Sequence, residues 1–223
     1  AINTGNVQIL TNHIVESFET NRETELATKI KIINTETGLK RELNCELIIL
    51  CASTISTLRI LLNSQRDFNK KGFNDTSGKL GQYLMDHISI CKFFSIPECH
   101  PKQEIRSIKE GHLSGAGSFF FPFGSELPNK SEIDFLRGYG TWGAIDRFGI
   151  PRFLQRNPSD SIGFLISHGE VLPKASNKVK LSNNVDKWDI PTPEISFKWS
   201  NNEYKMVRHM KKTIKDSINV VEG

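Results

Sequence analysis

The sequence lacks the features that mark several large classes of protein. Its longest apolar run, residues 47–52, falls far short of the roughly 20 residues that a membrane helix needs. No basic and apolar leader opens the chain, so we predict a cytoplasmic protein without an export signal or a membrane partner. Lys and Arg number 29 against 25 Asp and Glu, and the net charge of +4 is too weak to predict nucleic acid as a partner.

Cysteine is scarce, with four residues in a chain of 223, and no two of them form a CxxC pair. So few cysteines in so long a chain do not predict a disulfide framework. The neighbouring residues Cys99 and His100 are accompanied by no second pair with the spacing of metal ligands. We therefore expect reduced thiols and no metal site.

Familiar catalytic motifs are missing as well. The six histidines show no HExxH spacing, and no serine lies in a GxSxG elbow. Residues 138–143 match GxGxxG letter for letter, but a charged segment precedes them, and Gly149 and Pro151 interrupt any helix that follows. A dinucleotide site needs a buried strand before the glycines and a helix after them, so we interpret the match as chance.

Two further features have both a structural and a functional interpretation. Asp86 and His87 are neighbours at a predicted domain junction, but adjacent residues on a strand point to opposite faces. An anchor that ties a loop to the backbone is at least as good an interpretation of that pair. The aromatic residues 119–121, Tyr139 and Trp142 are candidates to line a pocket for a ring or a sugar, although such residues are more often core.

What the first fifty residues do contain is a pattern of short strands. Residues 28–33 alternate polar and apolar, which is typical of a half-buried strand, and Asn and Gly at 34–38 predict a turn. Residues 47–51 are apolar throughout, which predicts a strand covered on both faces in a layered α/β sheet. The predicted strands are residues 7–10, 13–18, 28–33, 40–45 and 47–51.

A turn of small residues and a helix follow the last of these strands. Apolar residues share one face of the helix predicted over residues 55–63, and Ser53 or Thr54 is expected to cap it. Small side chains let a ligand approach the backbone, and a helix start presents free N–H groups and a partial positive charge. An ordinary strand-to-helix connection explains the same residues, so both interpretations stay open.

The pattern changes near residue 88, where we predict a boundary between domains at residues 1–87 and 88–223. Runs at 88–96, 162–171, 179–181 and 194–199 predict a largely antiparallel sheet, which makes this region α+β. The closing helix is the best-defined element: Ser200 and Glu203 fit a capping box. Its basic residues are predicted to be a solvated face rather than a nucleic-acid surface.

Residues 50–64 and 77–87 together resemble the middle of a glucose–methanol–choline oxidoreductase, a flavoenzyme that uses FAD to oxidise alcohol groups. Further segments agree with that family in order, so the resemblance spans nearly the whole chain; they are residues 135–140, 169–173, 177–179 and 188–195. It implies that the first domain is an inner part of a discontinuous FAD-binding α/β domain, with a β meander, a buried strand and a helix. The second would be most of an antiparallel substrate domain.

The resemblance also implies which residues meet the cofactor. Val15 would lie on the strand whose backbone meets the adenine, and the turn at 52–54 would pass close to FAD. Residues 81–87 correspond to a segment near the flavin ring, in which the family usually has Asn at the position of Tyr83. The implied FAD-binding residues are Val15, Ala52, Ser53, Thr54, Met85, Asp86 and His87.

The implied reaction is hydride transfer from an alcohol carbon to flavin N5 while a histidine removes the hydroxyl proton. Neither the family's glycine fingerprint nor its C-terminal catalytic histidine is found in these 223 residues, so no catalytic residue is assigned. We therefore expect a central fragment without turnover of its own, whose partners are an alcohol or sugar-like substrate and the remainder of the enzyme. The alternative is a non-catalytic ligand-binding or scaffolding domain that kept the fold and lost the cofactor.

Overall fold

The computed structural model describes residues 1–21, 23–66, 75–96, 119–125, 133–145 and 161–221. Every pair of hydrogen-bonded strands in them is antiparallel, which places the fold in the α+β class. None of the helices in these ranges is long and apolar enough to cross a membrane. The helices are α1 (Thr54–Arg66) and α2 (Asn201–Val220), and the strands are β1 (His13–Thr20), β2 (Ala27–Asn34), β3 (Lys40–Asn44), β4 (His87–Ile96), β5 (Phe119–Gly124), β6 (Gly138–Ile145), β7 (Ser161–Glu170), β8 (Lys178–Val185) and β9 (Pro191–Ser196).

The described residues group into two compact units. The first is Ala1–Leu84 with Pro173–Lys198, and the second is Met85–Leu172 with Trp199–Gly223. Each unit has a core of its own. Buried apolar residues of the first are Phe18, Ile32, Ile33, Ile60, Val179 and Ile190, and those of the second include Ile88, Tyr139, Leu165, Met206, Met210 and Ile214.

The first unit is built on a three-stranded sheet in the order β1-β2-β3. The predicted turn between β2 and β3 is confirmed, because the side chain of Asn34 accepts hydrogen bonds from the backbone N–H of Glu36 and Thr37, at 3.0 and 2.9 Å. Gly38 completes the turn with a φ of +73°, a conformation that glycine adopts without steric cost. Local turn chemistry therefore fixes the register of this hairpin.

Helix α1 packs against β1 through two side chains near its C-terminal end. Ser64 is fully buried; its Oγ accepts the backbone N–H of Phe18 at 2.9 Å and donates to the carbonyl of Ile60 at 2.7 Å. Asn63 donates its Nδ2 to the carbonyl of Glu16 at 2.9 Å. These bonds give partners to the N–H of Phe18 and the carbonyl of Glu16 on β1.

The hairpin of β8 and β9 is tied to α1 by Arg59. Its guanidinium donates to Asp186 at 2.7 Å and to the carbonyls of Ile190 and Pro191 at 2.8 and 2.7 Å. The same carboxylate accepts the backbone N–H groups of Trp188 and Ile190. One ion pair thus holds the helix to the turn between the two strands.

Asp186 makes the stability of the first unit depend on pH. Burial acts to raise the pKa of its carboxyl, but the hydrogen bonds from Arg59, Trp188 and Ile190 outweigh burial and hold the pKa below its usual value. A lowered folded-state pKa adds stability above the unfolded-state pKa, near 3.9 for Asp, and that stability is lost as the pH falls through the folded value.

We expect Asp186→Asn to lower the free energy of unfolding by about 1–3 kcal/mol at pH 7, because Arg59 loses its charged partner. The loss should begin to shrink as the pH falls below about 4, where the unfolded chain takes up the proton, and should be smallest once the pH has fallen through the lowered pKa of the native carboxyl. Urea unfolding at a series of pH values checks this. Glu194→Gln, which removes the partner of an exposed Lys180 ion pair, is the control, and a deficit at Asp186→Asn that is the same at every pH would contradict the argument.

The second unit is built on a four-stranded sheet in the order β4-β7-β6-β5, with α2 packed on one face. Met206 and Met210 of α2 are fully buried and lie over Gly169 of β7, where an added Cβ would meet their side chains at 2.2 and 2.6 Å. The predicted capping box is confirmed at the start of α2, where Ser200 and Glu203 satisfy each other's backbone N–H groups. The two methionines thus pack directly on the backbone of β7.

Two predicted elements are not strands in the structure. Residues 7–10 and 47–51 take part in no strand pairing, and Leu47 and Ile49 are 75% and 77% exposed. The predicted buried strand at 47–51 is therefore wrong for the described chain, since an apolar run is buried only where neighbouring strands pair with it and cover it. The GxGxxG match at 138–143 lies within β6, which confirms that it is not a strand-to-helix nucleotide loop.

Candidate functional site

The turn at residues 52–54 is open to solvent. Ala52, Ser53 and Thr54 are all exposed, and α1 begins directly after them. Ser53 has a φ of +67°, a left-handed conformation that is uncommon outside glycine, and its carbonyl accepts the N–H of Thr57 at 2.8 Å. The small side chains of the turn and the first backbone groups of α1 are therefore accessible from solvent.

Val15 lies in the same unit, half-buried on β1, where it is paired with Ile32 of β2. The described hydrogen bonds between β1 and α1 run to Asn63 and Ser64. Those residues are about 14–15 Å along the helix axis from Thr54, at about 1.5 Å per residue. Glu16 and Phe18 of β1 thus lie beside the C-terminal half of α1, and the described residues show no hydrogen bond from Val15 to the 52–54 turn.

Met85, Asp86 and His87 lead into β4 of the second unit, and all three are exposed. The carboxylate of Asp86 accepts the backbone N–H of His87 at 2.7 Å, which is the loop anchor that the alternative interpretation describes. In the first unit, Tyr83 has a φ of +58°. Asn tolerates this left-handed conformation better than Tyr does.

The sequence analysis missed a row of rings on the second unit's sheet. We name as the aromatic row Phe93 of β4, Phe164 and His168 of β7, and Trp142 of β6. Ring centroids are 6.4 Å apart for Phe93 and Phe164 and 5.2 Å for Phe164 and Trp142. Trp142 and His168 are nearly parallel, with centroids 6.4 Å apart and planes 19° from each other.

His168 has a polar partner at the end of the row. Its Nδ1 lies 2.7 Å from the hydroxyl of Ser89, and its ring centroid lies 6.1 Å from that of His87. His87, named from the sequence as a cofactor residue, therefore adjoins an imidazole that the sequence did not single out. In the sequence, positions 89, 164 and 168 are recognisable only as alternating positions of predicted strands. The pairing of β4 with β7 is what brings them together.

Tyr139 is a core residue, in agreement with the commoner role expected of the aromatics. It is 5% exposed, and its hydroxyl lies 2.7 Å from Nδ1 of His209 and 2.9 Å from the hydroxyl of Thr213. Burial raises the pKa of Tyr139 to about 12, so the phenol stays neutral. The hydrogen bonds tie β6 to α2, on the opposite face of the sheet from the aromatic row.

Comparison with known proteins gives one similarity that bears on function. Over 62 residues the chain is 39% identical to a 2-methyl-1,2-propanediol dehydrogenase from Mycolicibacterium austroafricanum. The matched segment covers 28% of this chain and 11% of that relative. The chain thus matches only a small part of the relative's length. No protein-family model matches the sequence.

Proposed function

We propose that the chain is the central part of an FAD-dependent oxidoreductase of the glucose–methanol–choline type, which acts on CH–OH groups. The observation that carries the proposal is the exposed small-residue turn at 52–54, which leaves the start of α1 open to a ligand. The similarity to a relative named as a diol dehydrogenase supports the same reaction class. The alcohol that is oxidised is a small molecule.

The exposed apolar segment before the turn supports a further partner. Leu47 and Ile49 leave three quarters of their surface in solvent, and their backbone groups lie outside the described ladders. Contiguous exposed apolar residues mark interaction surfaces, and extended backbone without partners is a template for strand pairing. The proposed partner is the remainder of the enzyme, which would complete the α/β sheet of the FAD-binding domain around residues 47–51.

The residues present suit a dinucleotide in one respect that can be tested. Ala52, Ser53 and Thr54 have small side chains, so a phosphate or ribose has room to approach the backbone at the helix start. FAD bound there would accept the hydride that an alcohol gives up on oxidation. Val15 and, in the second unit, Met85, Asp86 and His87 are proposed as further contacts of the cofactor on the strength of the resemblance.

A bulky side chain in the turn is expected to weaken FAD binding. We expect Ala52→Trp in the full-length gene product to raise the dissociation constant for FAD at least tenfold, because the indole would fill the space next to the backbone. The measurement is titration of the apoprotein with FAD, followed by quenching of flavin fluorescence. Ser56→Trp, at an exposed position four residues after Ala52, is the matched control and should bind FAD normally.

The 223-residue chain by itself should leave flavin fluorescence unquenched, because most of the cofactor's contacts are proposed to lie outside it. Stoichiometric, tight binding of FAD by this chain would overturn the fragment hypothesis. A full-length product without flavin, or one indifferent to Ala52→Trp, would favour a ligand-binding domain that lost its cofactor.

A further inference from the structure

The aromatic row and its polar partner lie on one face of the sheet. Side chains alternate between faces along a strand, and the register pairs Ser89 with His168 and Phe93 with Phe164. Trp142 is paired with Ile166, two residues from both Phe164 and His168, so it shares their face. The buried methionines of α2 cover the other face at Gly169. The row is therefore on the side of the sheet that α2 leaves open.

The row forms an apolar shelf. Phe93 is 53% exposed at one end, and Phe120 of β5 is 64% exposed beside the row. The ring of Phe120 lies over Gly140 of β6, where an added Cβ would be 2.3 Å from it. A glycine at that position leaves room for the ring against the strand, so the shelf presents aromatic rings from four strands.

His168 provides the shelf with one defined hydrogen-bonding group. Ser89 lies 2.7 Å from Nδ1, which fixes the orientation of the ring. Within the described residues no hydrogen-bond partner meets Nε2, and His168 is only partly buried. The second ring nitrogen is thus available to a ligand that lies against Trp142.

We propose that the aromatic row binds the alcohol substrate and that this substrate is an aryl alcohol. This inference rests on the proposed function. Its ring lies against Trp142 and Phe164, and its hydroxyl forms a hydrogen bond with Nε2 of His168. A sugar fits less well, because each hydroxyl that is taken from water needs a partner and the row offers a single polar pair at one end. Aromatic pairs in offset or edge-to-face geometry provide the remaining attraction.

The test measures binding to the 223-residue chain without FAD, by saturation-transfer difference NMR with 4-methylbenzyl alcohol as the probe. We expect the alcohol to bind about five times more tightly than p-xylene, which has the same ring but no hydroxyl. Trp142→Leu should weaken binding of both probes at least fivefold. Trp199→Leu, at a partly exposed tryptophan elsewhere in the same unit, is the control and should change neither.

The role of His168 is tested by His168→Phe, which keeps a ring beside Trp142 and removes Nε2. We expect the preference for the alcohol over p-xylene to disappear while the affinity for p-xylene is kept. Ser89→Ala, which leaves the imidazole in place without its anchor, should reduce the same preference and provides a second variant if the first does not fold.

Several results would overturn the inference: no binding of the aryl alcohol, equal binding of alcohol and p-xylene by the native chain, or affinities unchanged by Trp142→Leu. Tighter binding of methyl glucoside or 1,2-propanediol would overturn the substrate class. Because FAD is absent throughout, these failures are separate from failure of the flavin titration. A chain that binds the alcohol but belongs to a flavin-free protein keeps the ligand site and loses the proposed oxidoreductase.

Discussion

Replacing Gly81 by alanine is expected to lower the free energy of unfolding of the first unit by about 3 kcal/mol or more. Two independent costs add at this position. Gly81 has a φ of +82°, which strains any residue that carries a Cβ, and the added Cβ would lie 2.3 Å from the backbone carbonyl oxygen of Val179. Backbone atoms cannot move aside as a flexible side chain can.

The surroundings of Gly81 leave no inexpensive way to relieve this overlap. The N–H of Val179 donates to the carbonyl of Gly81 at 2.7 Å, so the two backbones are held together where they would have to separate. Val179 is 2% exposed and is paired with Ile195 in the hairpin of β8 and β9. Separation would therefore break a buried hydrogen bond and disturb the hairpin that Arg59 ties to α1.

Gly78→Ala distinguishes the overlap from the backbone strain. Gly78 has a φ of +63°, but nothing lies within 4 Å of the position of its Cβ. It should therefore lose only about 1 kcal/mol, which is the cost of the left-handed conformation. Urea unfolding followed by circular dichroism gives both values. Equal losses in the two variants would show that contact with Val179 does not matter.

The elements that the sequence predicted correctly are those that depend on neighbours close in the chain. The alternation at 28–33, the turn that Asn34 and Gly38 form, and the capping box of Ser200 and Glu203 are all present. Each is decided by side chains within a few residues of one another, and local chemistry suffices. Helix α1 is confirmed for the same reason.

The predictions that failed concern pairing over long distances. An apolar run such as residues 47–51 carries no information about whether another strand lies beside it, and the described chain contains none. The letters of GxGxxG likewise occur in β6, where they allow Phe120 to lie against Gly140. In both cases the same residues are compatible with different structures, and residues far away in the sequence determine which structure forms.

The candidate site was predictable in part. The turn at 52–54 combines small residues with a helix start, which is a local signal, and the structure leaves it exposed. The aromatic row is formed by single residues from β4, β6 and β7, whose strands are far apart in the sequence. Without the register, Phe93, Phe164 and His168 are unremarkable alternating positions.

The second large effect is expected at Glu203, a buried carboxylate that serves two elements of the second unit. It accepts the backbone N–H and the hydroxyl of Ser200, which closes the capping box, and its Oε1 accepts the N–H of Leu172 at 3.0 Å. We expect Glu203→Ala to lower the free energy of unfolding by about 2–4 kcal/mol, since the cap is lost and the partly buried N–H groups of Ser200 and Leu172 are left without their partner.

Glu203→Gln separates hydrogen bonding from charge. Glutamine can also close a capping box, but its amide has one acceptor oxygen where the carboxylate uses two, so we expect a loss of about 1–2 kcal/mol, smaller than that of Glu203→Ala, from the missing charge and one missing acceptor. Burial acts to raise the pKa of Glu203, but the hydrogen bonds from Ser200 and Leu172 outweigh it and lower the pKa. The charge therefore stabilises the fold above the unfolded-state pKa, near 4.3 for Glu, and ceases to do so as the pH falls through the folded value.

Unfolding curves of the native chain and both variants at pH 7 and at a series of lower pH values test this prediction. The native chain and Glu203→Gln should differ at pH 7 and converge as the pH falls through the lowered pKa of Glu203, whereas Glu203→Ala should stay less stable throughout, because the N–H groups of Ser200 and Leu172 then have no side-chain partner at any pH. A Glu203→Gln variant as unstable as Glu203→Ala would mean that charge matters more than the hydrogen bonds. Leu172 follows β7 by two residues, and its hydrogen bond to Glu203 connects that strand to the start of α2. Such a result would mean that this connection is stabilised by the charge of Glu203 rather than by capping.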